Sequence, residues 1–591
     1  MSARAVASAL DAAARAAGLV LDRPGEFAAP VPAETKRVLT DILGPMTKTP
    51  SPVDGPAYVP AAVDQARVFG VTLQLYQLRS PRNLGIGDLG DLIDLLPYFA
   101  EAGADFVGLN PLHALFTADP ERASPFAPSD RAFLNPLIIA LDRVTGFRPR
   151  MTDGRAVPDA DLMVDYAAVA PLKLAILREV YAAWLEAADE VERAAHARFM
   201  VEGGEALDSF ATFEALSHAM TAKGLGAGTA QWPASLKTRK ASGVAAFAQE
   251  HRGEIAFHAW LQFVADRQLG EVQHAAQAAG MRVGLYLDLA VGTAPDGHAT
   301  WADPELTVEG ITVGAPPDLF SAEGQSWGLA PLSPAVLAER DYAPYRALLS
   351  AVMRHAGAVR IDHAMGLERL WLVPAGKSAK EGAYVRQPGL VDELVAATHK
   401  HKTLAIGEDL GIVPPGFRDR MSARRIFSMR IMMFEADAHG MIRPARYPQD
   451  ALACLSTHDF APLEAFWDGD DVSIRVSLGA LSEENAAAEL AFRHSLKSHL
   501  MALCGLPPRL AAEPLGEAGL VAYHRAVART ACRMMAVRLE DVLGGRRLVN
   551  LPGTDREHPN WRHTLPVTVD EITESSRLAA VLRAVAQERP R

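Results

Sequence analysis

Cysteine is scarce in this chain: Cys454, Cys504 and Cys532 are the only three among 591 residues. Three widely separated thiols exclude a disulfide framework and a zinc knuckle, and they point to a reducing, cytoplasmic setting. An excess of positive charge is also missing. Lys and Arg total 59 against 71 Asp and Glu, a net charge of −12, so no electrostatic footprint exists for nucleic acid or anionic lipid. No continuous apolar stretch stands at the N-terminus either, where Asp11, Arg15, Asp22 and Arg23 interrupt the alanine-rich segment, so an export signal is not expected. A membrane span is not expected from a mean hydropathy of +0.04. With 49% hydrophobic and 22% charged residues, the composition is that of a soluble globular protein with a large core. Internal repeats and low-complexity segments are lacking as well.

What is present is a regular alternation. At about 100 to 200 residues per domain the length allows three or four domains, but an α/β barrel with insertions fits equally well. Residues 1–65 read as a helical N-terminal segment and a linker. Val6, Leu10, Ala13 and Ala17 recur at helical spacing before Gly18, and Val38, Leu39, Ile42 and Leu43 do so before Gly44. Pro45, Pro50, Pro52, Pro56 and Pro60 mark the linker.

Residues 66–591 carry eight short apolar runs, each followed by a polar or glycine-rich turn and then a helical pattern, as in βα units around a parallel sheet. The runs are Thr72–Leu78, Phe106–Leu112, Arg282–Ala290, Ala358–Asp362, Leu404–Glu408, Ile426–Glu435, Leu452–Asp459 and Arg547–Leu551. Roughly 170 residues separate the second and third runs and roughly 90 the seventh and eighth, too many for simple crossovers. Both gaps look helical, giving insertions at about 115–278 and about 468–545. In the first, Leu174, Leu177, Tyr181 and Trp184 form one apolar face that must pack on something. The expected fold is a (β/α)8 TIM barrel with large, mainly helical insertions in its βα loops.

Catalytic groups of such barrels project from the C-terminal ends of the strands. Here those ends are acidic: Asp288 on the third run, Arg360-Ile-Asp362-His363 on the fourth, Gly407-Glu408-Asp409 on the fifth and Thr457-His458-Asp459 on the seventh. A single strand-end Asp is commonly a helix cap. Several convergent carboxylates with no metal-binding spacing instead suit glycoside chemistry, in which one acid protonates the leaving oxygen and another attacks or stabilises C1.

A set of motifs then carries a family resemblance. In order, they are Ser80-Pro-Arg-Asn-Leu-Gly-Ile-Gly-Asp88, Leu109-Asn-Pro-Leu112, Ser124-Pro-Phe-Ala-Pro-Ser129, Pro317-Asp318, Gly324-Gln-Ser-Trp-Gly328, Arg360-Ile-Asp-His363, Gly407-Glu-Asp-Leu-Gly411, Thr457-His-Asp459, Asn550-Leu-Pro-Gly-Thr554 and His558-Pro-Asn-Trp561. From about Val71 onward the chain resembles the amylomaltases, the 4-α-glucanotransferases or disproportionating enzymes of glycoside hydrolase family 77 in the α-amylase clan. Ala33-Glu-Thr-Lys-Arg37 looks like part of the N-terminal helices of longer bacterial members, whose β-rich N-terminal module is not expected here.

The resemblance implies a retaining double displacement on α-1,4-glucan donors and acceptors. It makes Asp362 the nucleophile, Glu408 the general acid/base and Asp459 the third carboxylate, which holds donor-sugar hydroxyls. Residue physics agrees, because Arg360 shares a strand face with Asp362 and keeps it ionised, while neighbouring negative charge favours protonated Glu408. Substrate contacts are expected from Arg360, His363, His458, Trp327, Gln325, Trp301, Phe126 and Asp288, the last also as a support of the rim. Trp371 and Trp467 read as core, and Asp409 as a helix cap or a group behind the site. No cofactor and no metal are expected.

Three departures from the family pattern bear on specificity: Ala364-Met365-Gly366, Pro462-Leu463-Glu464-Ala465, and Phe126 in place of a tyrosine. Chain-length preference, acceptor choice and oligomeric state are left open. The principal rival is a retaining amylase-type hydrolase, since both chemistries use the same three acids; a glucan-binding scaffold without activity is another. Gly85-Ile-Gly87-Asp-Leu-Gly90 satisfies the dinucleotide-binding pattern, but Arg79 to Leu84 separate it from the first run and Asp88 would repel phosphate.

Overall fold

The computed structural model describes residues 3–22, 29–48, 51–155, 162–317, 323–437, 440–554 and 556–591. Arg23, Pro50 and Asp318 lie outside these, as does the side chain of Val6. Eight parallel strands close a barrel: β1 (Val68–Leu73), β2 (Phe106–Leu109), β3 (Gly284–Leu289), β4 (Ala358–Ile361), β5 (Leu404–Gly407), β6 (Phe427–Ile431), β7 (Ala451–Cys454) and β8 (Met534–Arg538). Each pairs with its chain neighbours, and β1 pairs with β8. The strands are buried nearly throughout, which is why they read as continuous apolar runs. Gly108 on β2 shows the fit inside: a Cβ there would lie 2.6 Å from the Tyr286 ring and 2.8 Å from Thr72 Cγ2.

The eighth strand corrects an expectation. Arg547–Leu551 is not a strand, and the barrel closes through Met534–Arg538, inside the segment read as helical insertion. That insertion holds helices Leu463–Asp468, Asp470–Ser477, Glu483–Leu503 and Glu517–Ala528, so it ends before residue 534. The earlier insertion holds helices Tyr166–Ala187, Glu190–Ala222 and Arg252–Ala278. Leu174, Leu177 and Trp184 are buried there with Phe257, Trp260 and Phe263 in a core of their own.

The N-terminal helices, Ala3–Ala16 and Ala33–Leu43, pack on a four-stranded sheet made of Ile311–Ala315, Gln325–Leu329, Arg369–Pro374 and Ala383–Arg386. Gly18 between them takes φ 89°, which favours glycine, and its carbonyl accepts from the Arg386 N–H while the Val20 N–H donates to Tyr384. Among the described residues, no helix is long and apolar enough to cross a membrane.

Candidate active site at the barrel rim

The acids expected at strand ends meet at one rim. Asp362 follows β4 directly, Glu408 follows β5, and β7 leads through Leu455-Ser456-Thr457-His458 to Asp459. The barrel ladder extends past the strands to hold the first two: the Asp362 N–H donates to Leu289 O (3.1 Å) and the Glu408 N–H to Ile361 O (3.0 Å).

Arg360 is the pivot of this arrangement. Two residues before Asp362 on one strand, it points the same way. Nη1 donates to both Asp288 oxygens at 2.9 and 2.8 Å, and Nη2 lies 2.9 Å from Asp362 Oδ1. Burial opposes the guanidinium charge, but Asp288, Asp362 and Glu408 outweigh it and hold Arg360 protonated. Burial in turn raises Asp288, against the pull of Arg360.

Glu408 is buried and accepts two backbone N–H groups, from His363 to Oε2 (3.0 Å) and from Leu410 to Oε1 (2.6 Å). His363 reaches it from a left-handed conformation (φ 48°, ψ 60°), a strain of roughly 1–3 kcal/mol for a residue other than glycine. Burial pushes the Glu408 carboxyl up to about 7; Arg360 and the Leu410 N–H oppose this, while Asp362 and Asp459 add to it. Burial lowers His363 to about 4, with Asp362 opposing, so this imidazole is neutral at pH 7. His458 is lowered by burial too.

Asp459 is the most open of the three, with 37% of its side chain accessible against 17% for Asp362. Asn550 Nδ2 donates to its Oδ1 (3.2 Å), and His458 Nε2 lies 3.5 Å from Oδ2. Burial works against its charge, yet His458, Arg360 and Asn550 together hold it below the usual carboxylate range.

Two aromatic groups border these acids. Phe126 lies 4.9 Å from the His458 ring and 5.3 Å from Trp561, with the Arg360 guanidinium 5.9 Å from its own ring. Trp327 meets His363 edge-on at 5.1 Å, and its Nε1 donates to Gln325 Oε1 at 3.0 Å.

Not every expected residue arrives at the rim. Trp301 is 1% exposed in a core with Phe213 and Trp232, and its indole donates to Leu236 O, so it offers no face to a ligand. Asp288 is 5% exposed and gives both oxygens to Arg360, the supporting half of its two expected uses. Trp371 and Trp467 are core, as expected. Asp409 turns away from Glu408 and caps no helix; it ties β5 to β6 through the Met429 N–H and Arg430, and to helix Phe417–Ala423 through Arg418.

The departures from the family pattern also have places. Glu464 pairs with Arg577, and Ala364 and Met365 are buried in the barrel core. In the Gly85–Gly90 loop, Asp88 caps helix Leu89–Glu101, accepting from Gly90 and Asp91, and Arg82 pairs with Asp88 and Asp91. The chain's own carboxylate thus occupies that helix start. Among the described residues, no group of three or more His, Cys, Asp and Glu side chains is arranged to hold a metal ion.

Three contributors escaped sequence reasoning. Tyr286 and Arg538 line the cavity beneath the rim, and Asn550 holds Asp459. Of the three, Asn550 carries a signal in the sequence, at the head of Asn550-Leu-Pro-Gly-Thr554.

The model of the family described as 4-alpha-glucanotransferase matches residues 73–568. A 4-alpha-glucanotransferase of Mycobacterium tuberculosis is 38% identical over 550 residues, 88% of this chain and 75% of that protein. The Haemophilus influenzae 4-alpha-glucanotransferase is 35% identical over 539 residues, 85% and 76% of the two chains. The crystal structure of amylomaltase from Corynebacterium glutamicum superposes with a TM-score of 0.78 at 30% identity, covering 89% of this chain and 76% of that one. With its closed barrel and acidic rim, the chain belongs to glycoside hydrolase family 77, the 4-alpha-glucanotransferases.

Proposed function

We propose that the enzyme transfers α-1,4-glucan segments between maltooligosaccharides or longer glucans by double displacement with retention. Asp362 attacks C1 of the donor while Glu408 protonates the departing glycosidic oxygen, leaving a β-glucosyl ester on Asp362. Glu408, now ionised, takes the proton from the 4-hydroxyl of an incoming glucan, whose oxygen displaces Asp362 from C1. Asp459 accepts hydrogen bonds from donor-sugar hydroxyls, and neutral His363 and His458 each have one N–H to give. Trp327, Gln325 and Phe126 supply the flat apolar and amide contacts that a sugar face takes.

The observation that carries this reading is the different setting of two neighbouring acids. Arg360 sits 2.9 Å from Asp362, whereas burial raises Glu408 to about 7, where it can both give and take a proton. Transfer is preferred to amylase-type hydrolysis because relatives 35–38% identical over most of the chain are named as glucanotransferases. A cytoplasmic setting is inferred from Cys454, Cys504 and Cys532, all free thiols.

The test is to trap the ester. Glu408→Gln given α-glucosyl fluoride, whose leaving group needs no acid, should accumulate a glucosyl adduct that peptide mass mapping finds on Asp362. An adduct on another residue, or none with turnover intact, would remove Asp362 from the role.

A further inference from the structure

Arg538 is the last residue of β8, is 3% exposed, and lines the cavity beneath the rim together with Asp288, Arg360 and His458. Buried arginines ordinarily meet carboxylates. Arg538 has two beside it, with Glu540 Oε2 3.5 Å from Nε and Asp541 Oδ1 3.8 Å from Nη1, but the close hydrogen bonds of Nη1 go to other groups. Nη1 donates to Thr457 O (2.7 Å), Phe460 O (3.0 Å) and Ser456 Oγ (3.1 Å). Those two carbonyls bracket His458 and Asp459.

The bracketed segment has little order of its own. Residues 455–462 contain no helix or strand, and the turn is closed locally by the Phe460 N–H to Thr457 O (3.1 Å) and the Asp459 N–H to Thr457 Oγ1 (3.4 Å). Asp541, three residues beyond Arg538, grips the same segment at both of its ends. Its oxygens accept from the Ser456 hydroxyl (2.8 Å) and the Leu463 N–H (2.9 Å). The end of β8 therefore holds the whole excursion between β7 and helix Leu463–Asp468.

We propose that Arg538 is the positioning residue for Asp459: by gripping Thr457 and Phe460 it sets where the Asp459 carboxylate meets the donor sugar. This rests on the donor-binding role proposed for Asp459. Arg360 reaches its acids side chain to side chain, whereas Arg538 acts through the backbone. A neutral side chain of similar length would leave the Phe460 carbonyl without this donor and the Thr457 carbonyl with the Phe460 N–H alone, and free the turn to shift. A misplacement of about 1 Å at a reacting centre costs on the order of 100-fold in rate.

The experiment is a cycle of Arg538→Met and Asp459→Asn with the full-length enzyme, measuring kcat and KM on maltotriose and on α-glucosyl fluoride with maltose as acceptor. Arg538→Met should lower kcat about 10- to 100-fold while KM changes less than about twofold, and Arg538→Lys, which can reach one or two of the acceptors, should recover part of the loss. In the Asp459→Asn background the same change should cost less than about threefold, since the group it positions is gone. An equal loss in both backgrounds, or an unchanged kcat in Arg538→Met, overturns the proposal. If Asp459→Asn alone keeps full turnover, the role of Asp459 fails instead. Should Arg538→Met not fold, Ser456→Ala removes the hydroxyl shared by Arg538 and Asp541 and carries the same cycle, with an expected kcat loss of about threefold to tenfold.

Discussion

Two arcs of the rim hold their acids in different ways. On the β3 to β5 arc, Asp362 and Glu408 sit one residue past their strands, their N–H groups continue the barrel ladder, and side chains are met by Arg360 and by backbone donors. On the β7 to β8 arc, Asp459 stands on an irregular excursion, more than a third exposed, with one amide and one imidazole beside it. The first arc builds reactivity into rigid elements, where small displacements would be most costly. The second leaves room for a sugar to enter and make its own contacts.

That contrast can be broken at several points. Asp362→Asn should have the largest effect, a loss of turnover on the order of 10⁴-fold or more in maltotriose disproportionation. Undiminished activity would remove the nucleophile from the rigid arc. Asp459→Asn should cost less, about 10²- to 10³-fold, because it takes away binding contacts and no bond-forming atom.

Glu408 gives the arc a pH signature. The acid must be protonated when the donor binds, so kcat/KM should fall as pH rises through about 7, and Glu408→Gln should lose that limb along with most of its activity. Stability follows the same group. Its carboxyl lies near 7 when folded against an ordinary 4.5, so between those values the folded state keeps a proton that the unfolded chain has released. Its favourable contribution is complete below about 4.5 and lost as pH rises through about 7. Glu408→Gln should therefore melt above the wild type at pH 8, with the difference shrinking toward pH 4.5 in thermal scans. The smallest effect is expected from Trp327→Ala: a rise in KM of about tenfold with kcat nearly kept, read from initial rates on maltotriose.

Much of the rim was legible in the sequence because its logic is local. Asp362 and Glu408 close apolar runs buried on both faces, and strand alternation alone aligns Arg360 with Asp362. The eighth strand was misplaced for a physical reason. Leu548, Val549 and Leu551 are as buried as a strand, but they close a loop, with the Trp561 N–H donating to Val549 O and the Leu551 N–H to Asn560 Oδ1. The true strand, Met534-Met-Ala-Val-Arg538, is short, methionine-rich and adjoins a helical stretch. Trp301 was misread because an indole serves a core as readily as a sugar. Arg538 was invisible because its hydrogen-bond partners are a hydroxyl and two backbone carbonyls, which leave no pattern in side-chain spacing.

Transfer through a glucosyl ester formed on the rigid arc is tested by incubating the purified enzyme with maltotriose alone and separating the products by chromatography. Glucose accompanied by a ladder of longer maltooligosaccharides is the predicted result. Glucose and maltose without elongation would contradict it.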